Sequence, residues 1–338
     1  MKKTIFTLFA ILIIILVFGD RQVRHNIKLD FVNFVNNFLP VNNKRDFVME
    51  SFSFEQISQA RVTPDNIISG NIEKDDIPSL MNPKFDEITN SKFSDNELII
   101  GVYLNGEARA YPHKILYHHE IINDTIGDTP IAVTLCPLCN TDPVFKRIVD
   151  GEITTFGVSG KLFNSCLVMH DRKTGTLWSQ PWGIGIMGAK NNYILERIPT
   201  VSTTLGDWKK KYSNTKILSL ETGYNRNYSK YPYANYNTST EIKFPIRNQD
   251  KLIGQPKDLI SYIWQTDDKT PTNNFSGESY KILYSELKEK HTINFIFNNK
   301  SYSAVWDNEL QTPRFFDDAK TEIPASTAYA FVYPAYFQ

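Results

Sequence analysis

Alternation of apolar and polar residues becomes regular at Leu98. Residues 98–104, the Asn105-Gly106 pair and residues 107–111 read as a two-stranded hairpin, because Asn-Gly supplies the positive φ angles of a type I′ turn. Pro112 then opens a short helix to about Glu120, since proline suits a first helical turn. The same logic predicts a hairpin of residues 143–149 and 152–158 around Asp150-Gly151. Residues 167–170 and 176–179 form another, turning through Lys173-Thr174-Gly175, and residues 292–297 and 301–306 a third, turning at Asn298-Asn299. Residues 130–135 read as a strand, and residues 205–212 as a helix carrying Trp208. Many short strands and few helices predict an α+β fold, mainly antiparallel β with short helices.

Two stretches at the start depart from this pattern. Residues 4–19 are an almost uninterrupted apolar run behind Met1-Lys2-Lys3, the layout of an export signal. The run is shorter than the ~20 residues that comfortably span a bilayer, and no small-x-small cleavage site follows it. Residues 1–20 are therefore a signal peptide or a retained N-terminal membrane anchor. Residues 21–75 are polar and irregular, and read as a stalk and an N-terminal wrapping segment. That leaves residues 76–338 as the main β-rich domain, in an extracytoplasmic (periplasmic or cell-surface) location, with membrane contact only through the N-terminal segment. Within the domain, residues 106–123 lie without gaps on residues 277–294, an offset of 171 (277 − 106). A repeat of this kind, over 98–140 and 270–310, would give two related β-rich lobes. Cys136 then falls opposite Asp307, so the second copy lacks the thiols.

Composition narrows the partners. The 338 residues carry 37 Lys plus Arg against 37 Asp plus Glu, a balance that argues against nucleic acid or an anionic membrane surface. Three cysteines are too few for a disulfide scaffold. Two of them stand in Cys136-Pro137-Leu138-Cys139, a spacing that can hold a soft metal ion, cycle as a redox dithiol or close a small disulfide. A thioredoxin-type dithiol needs a helix after its first cysteine. Here Asn140, Thr141, Asp142 and Pro143 follow, which is turn chemistry. Zinc knuckles come in pairs, and no second CxxC exists, so any metal must borrow other ligands.

His119 is the first candidate, since it shares an inward helix face with Ile115 and Leu116. Met169 is the second, a thioether apt for Cu(I). Cys166 and His170 would sit ~13 Å apart on one strand face, so at most one of them joins a shared site. The leading expectation is thus a soft-metal protein, with copper as Cu(I), or zinc, held by Cys136 and Cys139 and completed by His119 or Met169. A thiol-disulfide oxidoreductase using the same pair is the alternative, and whether the protein is an enzyme stays open. A third reading is a glycan- or peptide-binding module built on Tyr224, Tyr228, Tyr231, Tyr233 and Tyr236, with structural cysteines. No P-loop, HExxH or GxGxxG pattern points to a nucleotide or organic cofactor.

Several motifs in order resemble a family of bacterial and archaeal proteins, domain of unknown function 3179. They are Gly106 to Pro112, His119 to Asp124, Val133 to Cys139, Phe156 to Gly160, Asp171-Arg172 with Leu177 to Gln180, and Thr222 to Tyr224. The resemblance runs from about Asp76 to the C-terminus. It places Cys136, Cys139, His119 and Met169 within motif blocks. Cys166 and His170 depart from the family pattern, and Asn140 stands where that pattern implies glycine.

Overall fold

The computed structural model describes residues 51–266 and 275–338. The apolar run at residues 4–19 and most of the stalk segment lie outside the described residues. Among those described, no helix is long and apolar enough to cross a membrane.

Among the described residues, five sheets of three to five strands and one two-stranded ribbon account for the strands, and the five sheets are arranged like the blades of a propeller. The first sheet is built on the expected hairpin, Leu98–Leu104 with Glu107–Pro112, and Asn105 and Gly106 take φ of 53° and 80°. Proline ends the second strand and caps the helix His113–His119, one position earlier than a first-turn proline would stand. The chain then enters the second sheet, where Ile121–Ile126, Thr129–Thr134 and Val144–Lys146 pair antiparallel in sequence order.

The expected hairpin of residues 143–158 forms only at its tip. Ile148–Val149 and Glu152–Ile153 make a two-residue ribbon around Asp150-Gly151. Its two arms then part. Val144–Lys146 stays with the second sheet, while Phe156–Phe163 pairs with Cys166–Asp171 in the third. Neighbouring sheets compete for the same strands, and local turn chemistry does not record the outcome. Cys166–Asp171 continues antiparallel to Leu177–Ser179 as expected.

The polar segment before Leu98 contributes more structure than its composition predicts. Ile67–Ser69, Leu80–Met81 and Phe85–Glu87 add a strand to the third, second and first sheets in turn. Among the described strands, Leu80–Met81 pairs parallel with Ile121–Ile126, and Lys216–Leu218 with Glu107–Pro112.

The core between the first two sheets gathers Ile99, Ile100, Tyr111, Leu116, Val133 and Trp208. Trp208 rides on the helix Leu205–Lys211 and lies directly on Gly101, where a Cβ would come within 2.4 Å of the indole. A second core gathers Ile263, Leu287, Trp306 and Phe315, from the strand Leu259–Gln265, the helix Tyr284–Lys290 and the paired strands Lys300–Asp307 and Thr312–Asp317. Shifted by 171 residues, Glu107–Pro112, His113–His119 and Ile121–Ile126 fall on Glu278–Leu283, Tyr284–Lys290 and Thr292–Phe297. Both segments lie within one unit, Met49–Gln338.

Candidate functional site

The Cys-Pro-Leu-Cys segment is a closed turn at the end of the Thr129–Thr134 strand. Cys136 pairs with Thr141 through its amide (2.9 Å), and the Asn140 amide donates to the Cys136 carbonyl at 2.7 Å. Asn140 takes the left-handed conformation, φ 54°, which asparagine tolerates better than other side-chain-bearing residues. The turn therefore closes without a glycine. No helix follows Cys139.

The third cysteine comes from elsewhere in the chain. Asn164 and Ser165, both at positive φ, make a two-residue turn between Phe156–Phe163 and Cys166–Asp171, and this turn sets Cys166 beside Cys139. The Leu167 amide donates to the Cys136 sulfur at 3.3 Å. All three cysteines of the chain are thus gathered, free and buried, with Cys139 between the other two. Spacing along the strand compares Cys166 only with His170, so the sequence alone does not bring Cys166 to the turn. The Asn164-Ser165 pair is the local signal, a hairpin turn that starts the next strand at Cys166.

Polar groups line the other side of the turn. The Thr141 hydroxyl donates to Gln180 Oε1, so at 3.0 Å it accepts from the Cys139 thiol. Gln180 Nε2 in turn donates to Thr134 Oγ1 (2.9 Å) and to the Thr141 carbonyl (3.0 Å). Tyr236 donates to the Leu138 carbonyl at 2.8 Å, and the Tyr329 amide donates to that of Cys139 at 2.9 Å. Burial pushes the Cys136 and Cys139 thiols well above their ordinary value and raises Cys166 too. These are neutral thiols, the opposite of the activated thiolate a disulfide oxidoreductase needs. Glu120, the cap residue of the helix, accepts from Tyr233 at 2.5 Å and is electrostatically coupled to Cys136. Burial pushes its carboxyl up to about 7.

His119 faces inward, and its ring is engaged. Nδ1 meets the Pro78 carbonyl at 2.6 Å and Nε2 the Tyr228 hydroxyl at 2.7 Å. Burial lowers its pKa to about 4. Met169 lies three residues beyond Cys166, so strand alternation sends it to the opposite face, where it pairs with Trp178. Neither residue makes a hydrogen bond to the three thiols. His170 is held by Asp75 (3.2 Å), which also takes Arg172 at 2.7 Å. The tyrosine segment packs inward for the most part, with Tyr228, Tyr233 and Tyr236 bonded to His119, Glu120 and Leu138 while Tyr224 stays 45% exposed. Among the described residues, no three His, Cys, Asp or Glu side chains stand as a ready-made metal site.

Comparison with curated proteins and with solved structures finds no match. A family model does match, over residues 74–338, a span that takes in the thiols, the helix bearing His119, and both segments related by 171 residues. The chain belongs to the family described as Protein of unknown function (DUF3179).

Proposed function

We propose that this domain binds a soft transition metal, Cu(I) foremost, at Cys136 and Cys139, with Cys166 as the third sulfur. The observation that carries the reading is the meeting of all three cysteines, from a turn and a strand distant in sequence, in one reduced, buried group. Thiolates select Cu(I), which is content with two or three sulfurs, whereas structural zinc takes four ligands. Cys166 here takes the role the sequence gave to His119 or Met169, because the His119 ring is bound elsewhere and Met169 faces away from Cys166. Burial of the thiols makes metal entry a competition with protons, so occupancy would rise with pH.

The segments related by 171 residues support the same reading. Taken as copies of one unit, they put the thiols on one copy and Asp307 opposite Cys136 on the other, which makes the sulfurs an addition to the scaffold. The apolar run at residues 4–19 supports an extracytoplasmic location.

The test is metal analysis after loading with Cu(I) under reducing conditions, comparing the wild type with a Cys136→Ser/Cys139→Ser variant. About one copper per wild-type chain and none in the variant is expected. Equal and negligible copper in both overturns the proposal.

A further inference from the structure

His119 begins a chain of hydrogen bonds that ends at a cavity. The Pro78 carbonyl can only accept, so His119 Nδ1 carries the ring proton and donates to it at 2.6 Å. Nε2 of the neutral ring then accepts from the Tyr228 hydroxyl at 2.7 Å, and the Tyr228 oxygen accepts from the Thr222 hydroxyl at 2.5 Å. Each donor's direction follows from the one before, and the Thr222 proton ends up turned inward. One lone pair of the Thr222 oxygen takes the Tyr224 amide at 3.3 Å. What remains is the other lone pair, so Thr222 offers an outside group an acceptor and no donor.

The cavity opens where Leu80–Met81 of the second sheet and Lys216–Leu218 of the first run out. Its volume is about 290 Å³, and its wall includes Thr222, the polar Lys84, Ser219 and Glu221, and the apolar Leu80 and Leu218. The Ser219 oxygen accepts from the Glu221 amide at 3.2 Å, which leaves its own proton for a ligand. Lys84 and Glu221 meet at 3.4 Å with side chains 71% and 72% exposed. An exposed pair of this kind contributes little and opens at small cost.

We propose that this cavity binds a free α-amino acid with an apolar side chain. Its ammonium donates to the open lone pair of Thr222 and to Glu221, its carboxylate accepts from Lys84 and Ser219, and its side chain lies against Leu80 and Leu218. A zwitterion replaces the loose Lys84–Glu221 pair with charge-assisted contacts to both partners. A simple amine would face the Lys84 ammonium, and a simple carboxylate would face Glu221, one like charge each. The thiols are no part of this wall, so binding here needs no metal at the cysteines.

Isothermal titration of the full chain, free of metal, tests this with L-leucine and its two truncated forms, isoamylamine without the carboxylate and isocaproate without the ammonium. Leucine should bind, and each truncated form should bind at least about tenfold more weakly, as loss of a charge-assisted hydrogen bond implies. Thr222→Val keeps the shape, removes the oxygen and should weaken leucine about tenfold, whereas Thr222→Ser should keep most of the affinity. Lys84→Met, at an exposed position where folding is not at stake, should weaken leucine to a similar degree. Tyr228→Phe frees the Thr222 proton to turn toward the ligand, so the preference for leucine over isocaproate should narrow by about threefold or more. General loosening of the segment would not move that ratio. Circular dichroism checks that each variant is folded. Absence of leucine binding, a truncated form that binds as tightly as leucine, leucine affinity indifferent to Lys84→Met or to a folded Thr222→Val, or an unchanged ratio in a folded Tyr228→Phe overturns the proposal.

Discussion

Residues 107–126 and 278–297 trace the same path, strand, helix, strand, and surround it with different chemistry. The likeness reaches single hydrogen bonds. Glu120 and His291 both end their helices at positive φ, 55° and 58°. Their amides bond back to Leu116 and Leu287, and their carbonyls accept from Leu135 and Trp306, at 2.7–2.8 Å throughout. Yet Glu120 is buried under Tyr233, and His291 is exposed. His119 is fully buried, and Lys290, its counterpart, is exposed and pairs with Glu286. The first strand after the helix is buried at five of six positions, the second at only one. Path and hydrogen bonds thus do not make the site. Burial of the first segment between neighbouring sheets does, because desolvation turns a carboxyl and three thiols into perturbed groups.

The comparison breaks first at the metal. Cys136→Ser/Cys139→Ser should abolish copper binding, whereas Asp307→Asn at the matching position should leave copper content unchanged. Asp307 is tied to Lys211 and Arg314, so its loss should cost only about 1 kcal/mol in denaturant unfolding. An Asp307 variant that lost copper would show that the second segment shares in the site.

Core replacement should treat the segments alike. Leu116 and Leu287 are both fully buried, and Leu→Ala at either should cost about 2–5 kcal/mol by chemical denaturation. A large difference between the two would sharpen the contrast from chemistry to packing.

Glu120 gives the pH signature. Its carboxyl is raised from an ordinary 4.5 to about 7 in the folded state. The folded state therefore binds the proton more tightly. Stability is intact below pH about 4.5 and is lost as pH rises through about 7, reaching about 3 kcal/mol for a shift of this size. His113 and His119, both lowered to about 4 by burial, act in the opposite sense, removing stability as pH falls from 6.5. Glu120→Gln should thus be more stable than the wild type above pH 7 and nearly equal to it below 4.5, measured by urea unfolding in metal-free buffer. A parallel pair of pH profiles would refute the assignment. His291→Gln, on the open counterpart, should change neither limb by more than a few tenths of a kcal/mol.

The smallest effect belongs to the turn. Asn140→Ala places a β-carbon at φ 54° and should cost about 1 kcal/mol, whereas Asn140→Gly should be close to neutral. If alanine proved as good as glycine, the closed Cys-Pro-Leu-Cys turn would not depend on the left-handed residue.

Local chemistry alone determined a good part of the protein. Asn105-Gly106 and Asn298-Asn299 specified their hairpins, because positive φ at both turn residues leaves few other paths. The residues after Cys139 excluded a helix there, and the face shared with Ile115 and Leu116 put His119 indoors. Tertiary structure decided the rest. The residues 143–158 hairpin came apart because each arm found a longer partner in a different sheet. The polar segment before Leu98 became three outer strands, since edge pairing is supplied by the neighbouring sheet and needs little apolar periodicity of its own. Above all, Cys166 met Cys139 across sheets, His119 was claimed by Pro78 and Tyr228, and Glu120 was sealed beneath Tyr233. Spacing along a chain fixes which residues share a helix or strand face. Which faces then meet, and which groups lose their water, depends on contacts between distant segments that no local pattern encodes.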